Sequence, residues 1–337
     1  MTNPTLWTII LNYKTPDMTL QSVDAALREM AGISGQIIVV DNDSQDGSFE
    51  TLEKAVADKG WDRVRVVQSG HNGGFGAGNN FGIQAGLRDG PPPDYIYILN
   101  SDAFPDPGAI RILLDYLETH PKVGFAGSNI HGPDGDWHCT IFRYPSIQSE
   151  LEGAARTGPI TKLFKNHVIP QPLPDAPKEV DWLAGASIMM RYETLAEIGL
   201  FDETFFLYFE ETDLCRRAKL AGWPTVYVPD SKVTHIGSAS TGMKTWKRKP
   251  QYWFDSRLHY FVKNHGRAYA VAATLAHVTG GLIWRLRCLI QRKEIGDEAH
   301  FLRDLITHGL RAAIKRAKMS AAQSANKNTP VVQPGQS

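Results

Sequence analysis

Residues 36–47 read QIIVVDNDSQDG, an apolar run rich in β-branched side chains that stops at a cluster of acids and amides. Ile37, Ile38, Val39 and Val40 leave no polar position on either side, the pattern of a strand buried on both faces of a sheet. Similar runs lie at 6–11, 64–68 and 95–99, and helical-period stretches fill the intervals at 16–30, 48–59, 78–87 and 107–120. Alternation at this spacing predicts βαβ units, and so an α/β fold with a doubly wound, mostly parallel sheet covered by helices on both faces.

Order weakens over 125–177, where Gly132-Pro133-Asp134-Gly135 is a turn signal and the prolines of 158–177 predict loops. A strand at 180–190, a helix at 192–198 and another at 211–221 follow. Beyond residue 242 the pattern becomes helical and rich in Lys and Arg, at 253–262, 268–292 and 297–318. The expected organisation is a catalytic domain over 1–242, a C-terminal helical appendage over 243–318 and a disordered tail over 319–337, small and polar in composition.

Lys+Arg and Asp+Glu both number 36 in the 337 residues, which argues against a general grip on nucleic acid. Three separated cysteines, Cys139, Cys215 and Cys288, form neither a CxxC pair nor a zinc spacing, as expected in a reducing compartment. No secretion signal precedes the first strand. The apolar stretch 268–289 is interrupted by His277, Gly280, Gly281, Arg285 and Arg287, short of the ~20 clean residues of a membrane span. The expected location is the cytoplasm, with the inner membrane face as a peripheral site.

Open α/β sheets bind ligands beyond the carboxyl ends of their strands. Here those ends deliver Asn12-Tyr13, then 41–47 (DNDSQDG), then Asn100-Ser101-Asp102. Each cluster alone reads as a helix cap or a turn; together they point to one polar crevice. A calcium loop at 41–52 is excluded, because position six is Asp46 and position twelve Leu52. The glycine-rich stretch 73–80 holds neither the dinucleotide fingerprint nor a phosphate loop.

These motifs, in this order, resemble the inverting family 2 glycosyltransferases of GT-A fold, and among them the bacterial rhamnosyltransferase-like branch. The similarity runs through Asn72-Gly73-Gly74-Phe75-Gly76, Asn100-Ser101-Asp102-Ala103, Trp182-Leu183-Ala184-Gly185-Ala186, Phe209-Glu210-Glu211-Thr212-Asp213 and His235-Ile236-Gly237. The resemblance implies a nucleotide-sugar donor, dTDP- or UDP-linked and in that branch dTDP-L-rhamnose, and a glycan or lipid-linked acceptor. It implies a donor pocket built from Asn12, Asp41, Asn72, Gly73, Asn80, Ser101 and Asp102. A carboxylate at Asp41 can accept the ring N3–H of uracil or thymine.

Asn100-Ser101-Asp102 stands where the family carries its DxD motif, with only the last residue acidic. The resemblance gives Asp102 and His235 a divalent cation, Mg²⁺ or Mn²⁺, and makes Glu211, with Glu210 beside it, the base that deprotonates the acceptor. Trp182, Gly185 and Ala186 form the floor under the sugar; ordinary strand packing explains Trp182 equally. Asp213 and Arg217, at i and i+4, read as a salt bridge. The basic run 244–249 is a loop over the donor diphosphate, a contact to anionic lipid, or a solvated surface loop. The helix at 268–292 is either interfacial or packed on the catalytic domain. Two other functions compete: a nucleotidyltransferase, which leaves Glu210-Glu211 unexplained, and a catalytically degenerate glycan-binding protein.

Overall fold

The computed structural model describes residues 3–237, 246–296, 298 and 300–327, with side-chain surroundings as far as 315. Strands β1 (Thr5–Asn12), β2 (Ser34–Asp41), β3 (Val64–Gln68) and β4 (Tyr95–Asn100) alternate with helices α1 (Pro16–Glu29), α2 (Ser48–Asp58) and α3 (Gly74–Asp89). They form the parallel half of the sheet in the order β3-β2-β1-β4. The other half adds β5 (Ala103–Pro105), β6 (Phe125–His131), β8 (Lys178–Val180), β10 (Ser187–Arg191) and β11 (Thr225–His235). There β10 runs antiparallel between β4 and β6, while β6 and β11 pair in parallel.

Period-two alternation sorts the strand side chains into two cores. Leu6, Ile10, Ile37, Val39, Tyr97 and Leu99 face α1, α2 and α4 (Ala109–Thr119). Trp7, Ile9, Ile38, Val40, Ile96 and Ile98 face the opposite side. That second core is closed by α3 and by α8 (Glu210–Leu220), which contributes Leu214, Cys215 and Ala218.

Helix α3 lies unusually low on the sheet because Gly78, Gly82 and Gly86 face it one turn apart. A Cβ on Gly82 would stand 2.7 Å from Val40 Cγ2 and 2.9 Å from Ile9 Cγ2. Gly82→Leu is therefore expected to destabilise the fold by about 1–3 kcal/mol through overpacking. A urea unfolding midpoint equal to wild type would show that α3 is not seated in this way.

Several elements depart from the sequence expectation. Helix α3 begins at Gly74, ahead of the expected 78, since the Asn72 side-chain oxygen accepts the Gly74 N–H at 3.0 Å. The prolines of 158–177 flank a short helix, α6 (Gly158–Leu163), and a 3₁₀ turn (Lys165–His167). The strand expected over 180–190 is broken at Ala184-Gly185-Ala186. Its first part, β9 (Trp182–Leu183), leaves the main sheet to pair with β7 (Ile141–Phe142).

The appendage consists of α9 (Gln251–His265), α10 (Arg267–Gln291) and α11 (Phe301–Lys327). It docks through Phe205, Tyr260, Phe261, Ala270 and Ala273, and α10 packs along α5 (Ile147–Ala155). Arg257, 2% exposed, pairs with Glu150 at 2.9 Å across that junction. The expected tail is partly corrected: 319–327 continue α11 with residues of good helix propensity, and 328–337 lie outside the described residues. So does the expected domain junction at 242–243, within 238–245.

Candidate active site

The parallel register sets Asn12 beside Asp41 and Leu11 beside Asn100, so three polar strand ends share one edge. At that edge Asn12 donates to Asp41 Oδ1 at 2.8 Å and receives the Thr19 hydroxyl at 2.8 Å. The Asp41 carboxylate also accepts from the Ser44 hydroxyl at 2.6 Å and the Ser44 N–H at 3.1 Å. Asn12 and Asp41 are both 0% exposed.

Asp41, expected to read the base, and Asn12, expected at the donor, are thus bonded to each other and to the loop that follows β2. Their polar atoms are spent inside the protein, where they pin a loop that carries left-handed Asp43 and Gln45. Asn42 extends the network, donating to Asn72 Oδ1 at 3.0 Å. Asn72 and Gly73 thereby reach the crevice as a braced turn at the start of α3.

Asn80, also expected at the donor, bonds within the protein as well. Its amide donates to the Phe201 carbonyl at 2.8 Å and to Glu203, and its oxygen accepts the Phe201 N–H at 3.0 Å. It clamps the segment leading to α8. Gly74 makes the matching contact: with φ of 91°, it leaves no room for a Cβ, which would fall 1.8 Å from the Phe206 carbonyl oxygen. The glycine stretch thus holds the 201–209 segment against the strand edge.

That segment ends in Tyr208 and Phe209, with φ of 71° and 70°, two consecutive bulky residues in the left-handed region. Such backbone is costly and persists only where its surroundings fix it. It leads directly into α8, whose first residue is Glu210. Burial pushes the Glu210 carboxyl well above the ordinary range, and the charge of neighbouring Glu211 adds to the shift. Burial raises Glu211 too, opposed by its own N–H and by that of Gly185.

Glu210 Oε2 and Glu211 Oε2 are buried acceptors with no hydrogen-bond partner among the described residues. Asp213 is different. It is saturated by Arg217 at 2.9 Å, the bridge that the i, i+4 spacing predicts, and by Lys263 at 2.8 Å and Asn264 at 3.2 Å, which join α8 to α9.

The bend that breaks the expected strand connects these acids to the strand edge. A Cβ on Gly185 would lie 3.6 Å from Glu211 Oε1 and 3.4 Å from the Phe75 ring. Ala186 O accepts the Asn100 N–H at 3.0 Å. Asn100 Nδ2 stands 3.4 Å from His235 Nε2, which is 3.0 Å from Asp102 Oδ1. Glu211, Gly185, Ala186, Asn100, Asp102 and His235 therefore form one continuous lining. Trp182, expected in the floor under the sugar, stacks its ring on Phe142 at 4.2 Å and donates its N–H to the Arg143 carbonyl at 2.9 Å.

Among the described residues no three of His, Cys, Asp and Glu form a metal cluster. Asn100 supplies what that inventory omits. Its Oδ1 is buried without a hydrogen-bond partner, next to Asp102 and His235. Amide oxygen, carboxylate and imidazole suit a hard or borderline divalent cation. With a single carboxylate, the set leaves charge to be supplied by a ligand.

The sequence reading passed over Asn100 as uncharged. It also missed an aromatic group beside the acids: Phe206, Tyr208, Trp246 and Tyr252, whose ring centroids lie 5.3–6.4 Å apart. Trp246 comes from the basic run. Of that run, 244–245 lie outside the described residues, while Arg248 and Lys249 pair with Asp304 and Glu298.

The sequence model described as "Glycosyltransferase like family 2" matches residues 4–271. An N-acetylglucosaminyl-diphospho-decaprenol L-rhamnosyltransferase of Mycobacterium tuberculosis is 31% identical over 217 residues, covering 61% of this chain and 68% of the relative. Rhamnosyltransferase WbbL of Escherichia coli is 26% identical over 167 residues, 48% of this chain and 60% of that one. Among solved structures, the mannosyltransferase PcManGT of Pyrobaculum calidifontis, in complex with GDP-Man and Mn²⁺, superposes with a TM-score of 0.56 at 13% identity. The match covers 93% of this chain and 81% of that one. GalNAc-T7 with UDP, GalNAc and Mn²⁺ gives the same TM-score and identity, over 91% of this chain and 55% of that one. The likeness to these GT-A enzymes is one of fold.

Proposed function

The chain belongs to glycosyltransferase-like family 2 and is a glycosyltransferase, and we propose that it transfers L-rhamnose from dTDP-L-rhamnose, with inversion, to a hydroxyl of a lipid-linked or cell-surface glycan. The observation that carries the reading is the continuous lining from Glu211 to Asp102 and His235. On this reading a basic carboxylate and a cation-binding edge share one crevice.

In this reading the nucleoside diphosphate lies along the strand edge, between the Asn72-Gly73 turn and Ser101-Asp102. Asn100 Oδ1, Asp102 and His235 hold Mg²⁺ or Mn²⁺. Such a cation, when bound, offsets the negative charge that develops on the leaving diphosphate. Glu210 keeps its proton, because burial and its neighbour both oppose ionisation. Glu211, supported by two N–H donors, is the carboxylate of the pair.

Glu211 takes the acceptor's proton as the acceptor oxygen attacks C1 from the face opposite the diphosphate. The new C1–O bond forms as the bond to the diphosphate breaks, and the electron pair leaves with the nucleotide. Gly185, without a side chain, leaves the sugar access to both sides. The rhamnose donor and lipid-linked acceptor follow the activity for which the mycobacterial relative is named.

A donor screen tests this. With Mn²⁺ present, dTDP-L-rhamnose should be hydrolysed slowly and raise the melting temperature more than UDP-glucose, UDP-N-acetylglucosamine or GDP-mannose. A stronger effect from a UDP- or GDP-sugar would overturn the donor. No effect from any of them would favour the degenerate glycan-binding reading.

A further inference from the structure

Helix α10 uses only one of its sides. Ala270, Ala273, Gly280, Gly281 and Cys288 face inward, and a Cβ on Gly280 or Gly281 would collide with the Leu151 carbonyl or with Leu302. On the other side Val271, Leu275, Leu282, Leu286 and Leu289 are each more than half exposed, up to 76% at Leu289. Their spacing keeps them on one face. At 1.5 Å per residue the stripe is roughly 27 Å long. An exposed apolar stripe of this extent marks an interaction surface.

Charge decides between occupants. Residues 267–293 include no Asp or Glu but carry Arg267, Arg285, Arg287, Arg292 and Lys293. Arg292 and Lys293 are exposed at the C-terminal end of the stripe. Helix α11 repeats the combination, with exposed Ile306, Leu310 and Ile314 beside Arg303, Arg311 and Lys315. A second copy laid along α10 would bring together two basic helices that carry no acid between residues 267 and 293, with exposed Glu294 following directly. An anionic bilayer meets both features. No helix among the described residues is long and apolar enough to cross a membrane, so contact would lie in the plane of the interface.

We propose that the outer face of α10 seats this protein in-plane on an anionic membrane surface. The leucine stripe enters the acyl boundary, and Arg292 and Lys293 meet lipid phosphates. The proposal stands on α10 itself and is independent of the donor and acceptor assigned above.

The test uses the full chain, without nucleotide sugar, sedimented with phosphatidylcholine vesicles with or without about 30 mol% phosphatidylglycerol. Wild type should pellet with the anionic vesicles and remain in solution with the neutral ones. Leu282→Glu/Leu286→Glu should lower the bound fraction at least about tenfold at an unchanged melting temperature. Arg292→Glu/Lys293→Glu, altered only at exposed positions, provides a second variant that keeps the inner face intact and should also bind less. Equal pelleting by wild type and both variants, or no binding by wild type, would overturn the proposal. Binding to neutral vesicles alone would overturn its electrostatic part. A wild-type dimer in light scattering that becomes monomeric in the leucine variant would assign the face to a second copy instead.

Discussion

Glu211→Gln should bind donor as wild type does and lose about two to four orders of magnitude in kcat, the usual contribution of a positioned general base. The substitution keeps the side chain's shape and its contact with the Gly185 N–H, while removing the ability to take a proton. In the wild type, burial raises the Glu211 carboxyl above its ordinary value, so the base form is lost on acidification at a higher pH than for a free glutamate. The kcat profile should therefore fall as pH drops through that raised value, and this acidic limb should disappear in the variant. Steady-state kinetics with donor affinity measured separately would show both. A variant as fast as wild type would move the base to Glu210 or elsewhere.

Asp102→Ala should have the second large effect. Asp102 is the only carboxylate of the proposed cation site, held 3.0 Å from His235 and beside the unpartnered Asn100 oxygen. Its loss leaves an amide and an imidazole, too weak a set for Mg²⁺ or Mn²⁺ at a crowded diphosphate. Transfer should drop by about three orders of magnitude or more, since several kcal/mol of charge stabilisation go with the cation. Metal-dependent tightening of nucleotide binding should vanish in calorimetry. Undiminished wild-type activity in excess EDTA would remove the cation from the account.

The parallel half of the fold was legible because Ile37, Ile38, Val39 and Val40 admit only a doubly buried strand, and the helices between strands keep their period. The break at Gly185 was not. The stretch 180–190 reads as one strand despite Asp181 and Gly185, and the structure bends it where Gly185 comes close to Glu211. Motif order singles out Glu210, Glu211, Asp102 and His235, and of these Glu211, Asp102 and His235 stand on one lining. Asn12 and Asp41 at strand ends and Asn80 on α3 are expected at the donor because buried polar residues look alike in sequence, whether they face a ligand or brace a loop. Only the partners of their hydrogen bonds tell the two apart. Asn100 was passed over for the opposite reason: an uncharged amide gives no signal until its oxygen is found buried and unpaired.

The most direct test is a crystal structure of Glu211→Gln with intact dTDP-L-rhamnose and Mn²⁺. The account predicts the diphosphate and cation against Asn100, Asp102 and His235, with the sugar C1 open to residue 211 on its far side. Nucleotide density elsewhere on the sheet, or a sugar whose C1 faces away from residue 211, would contradict it.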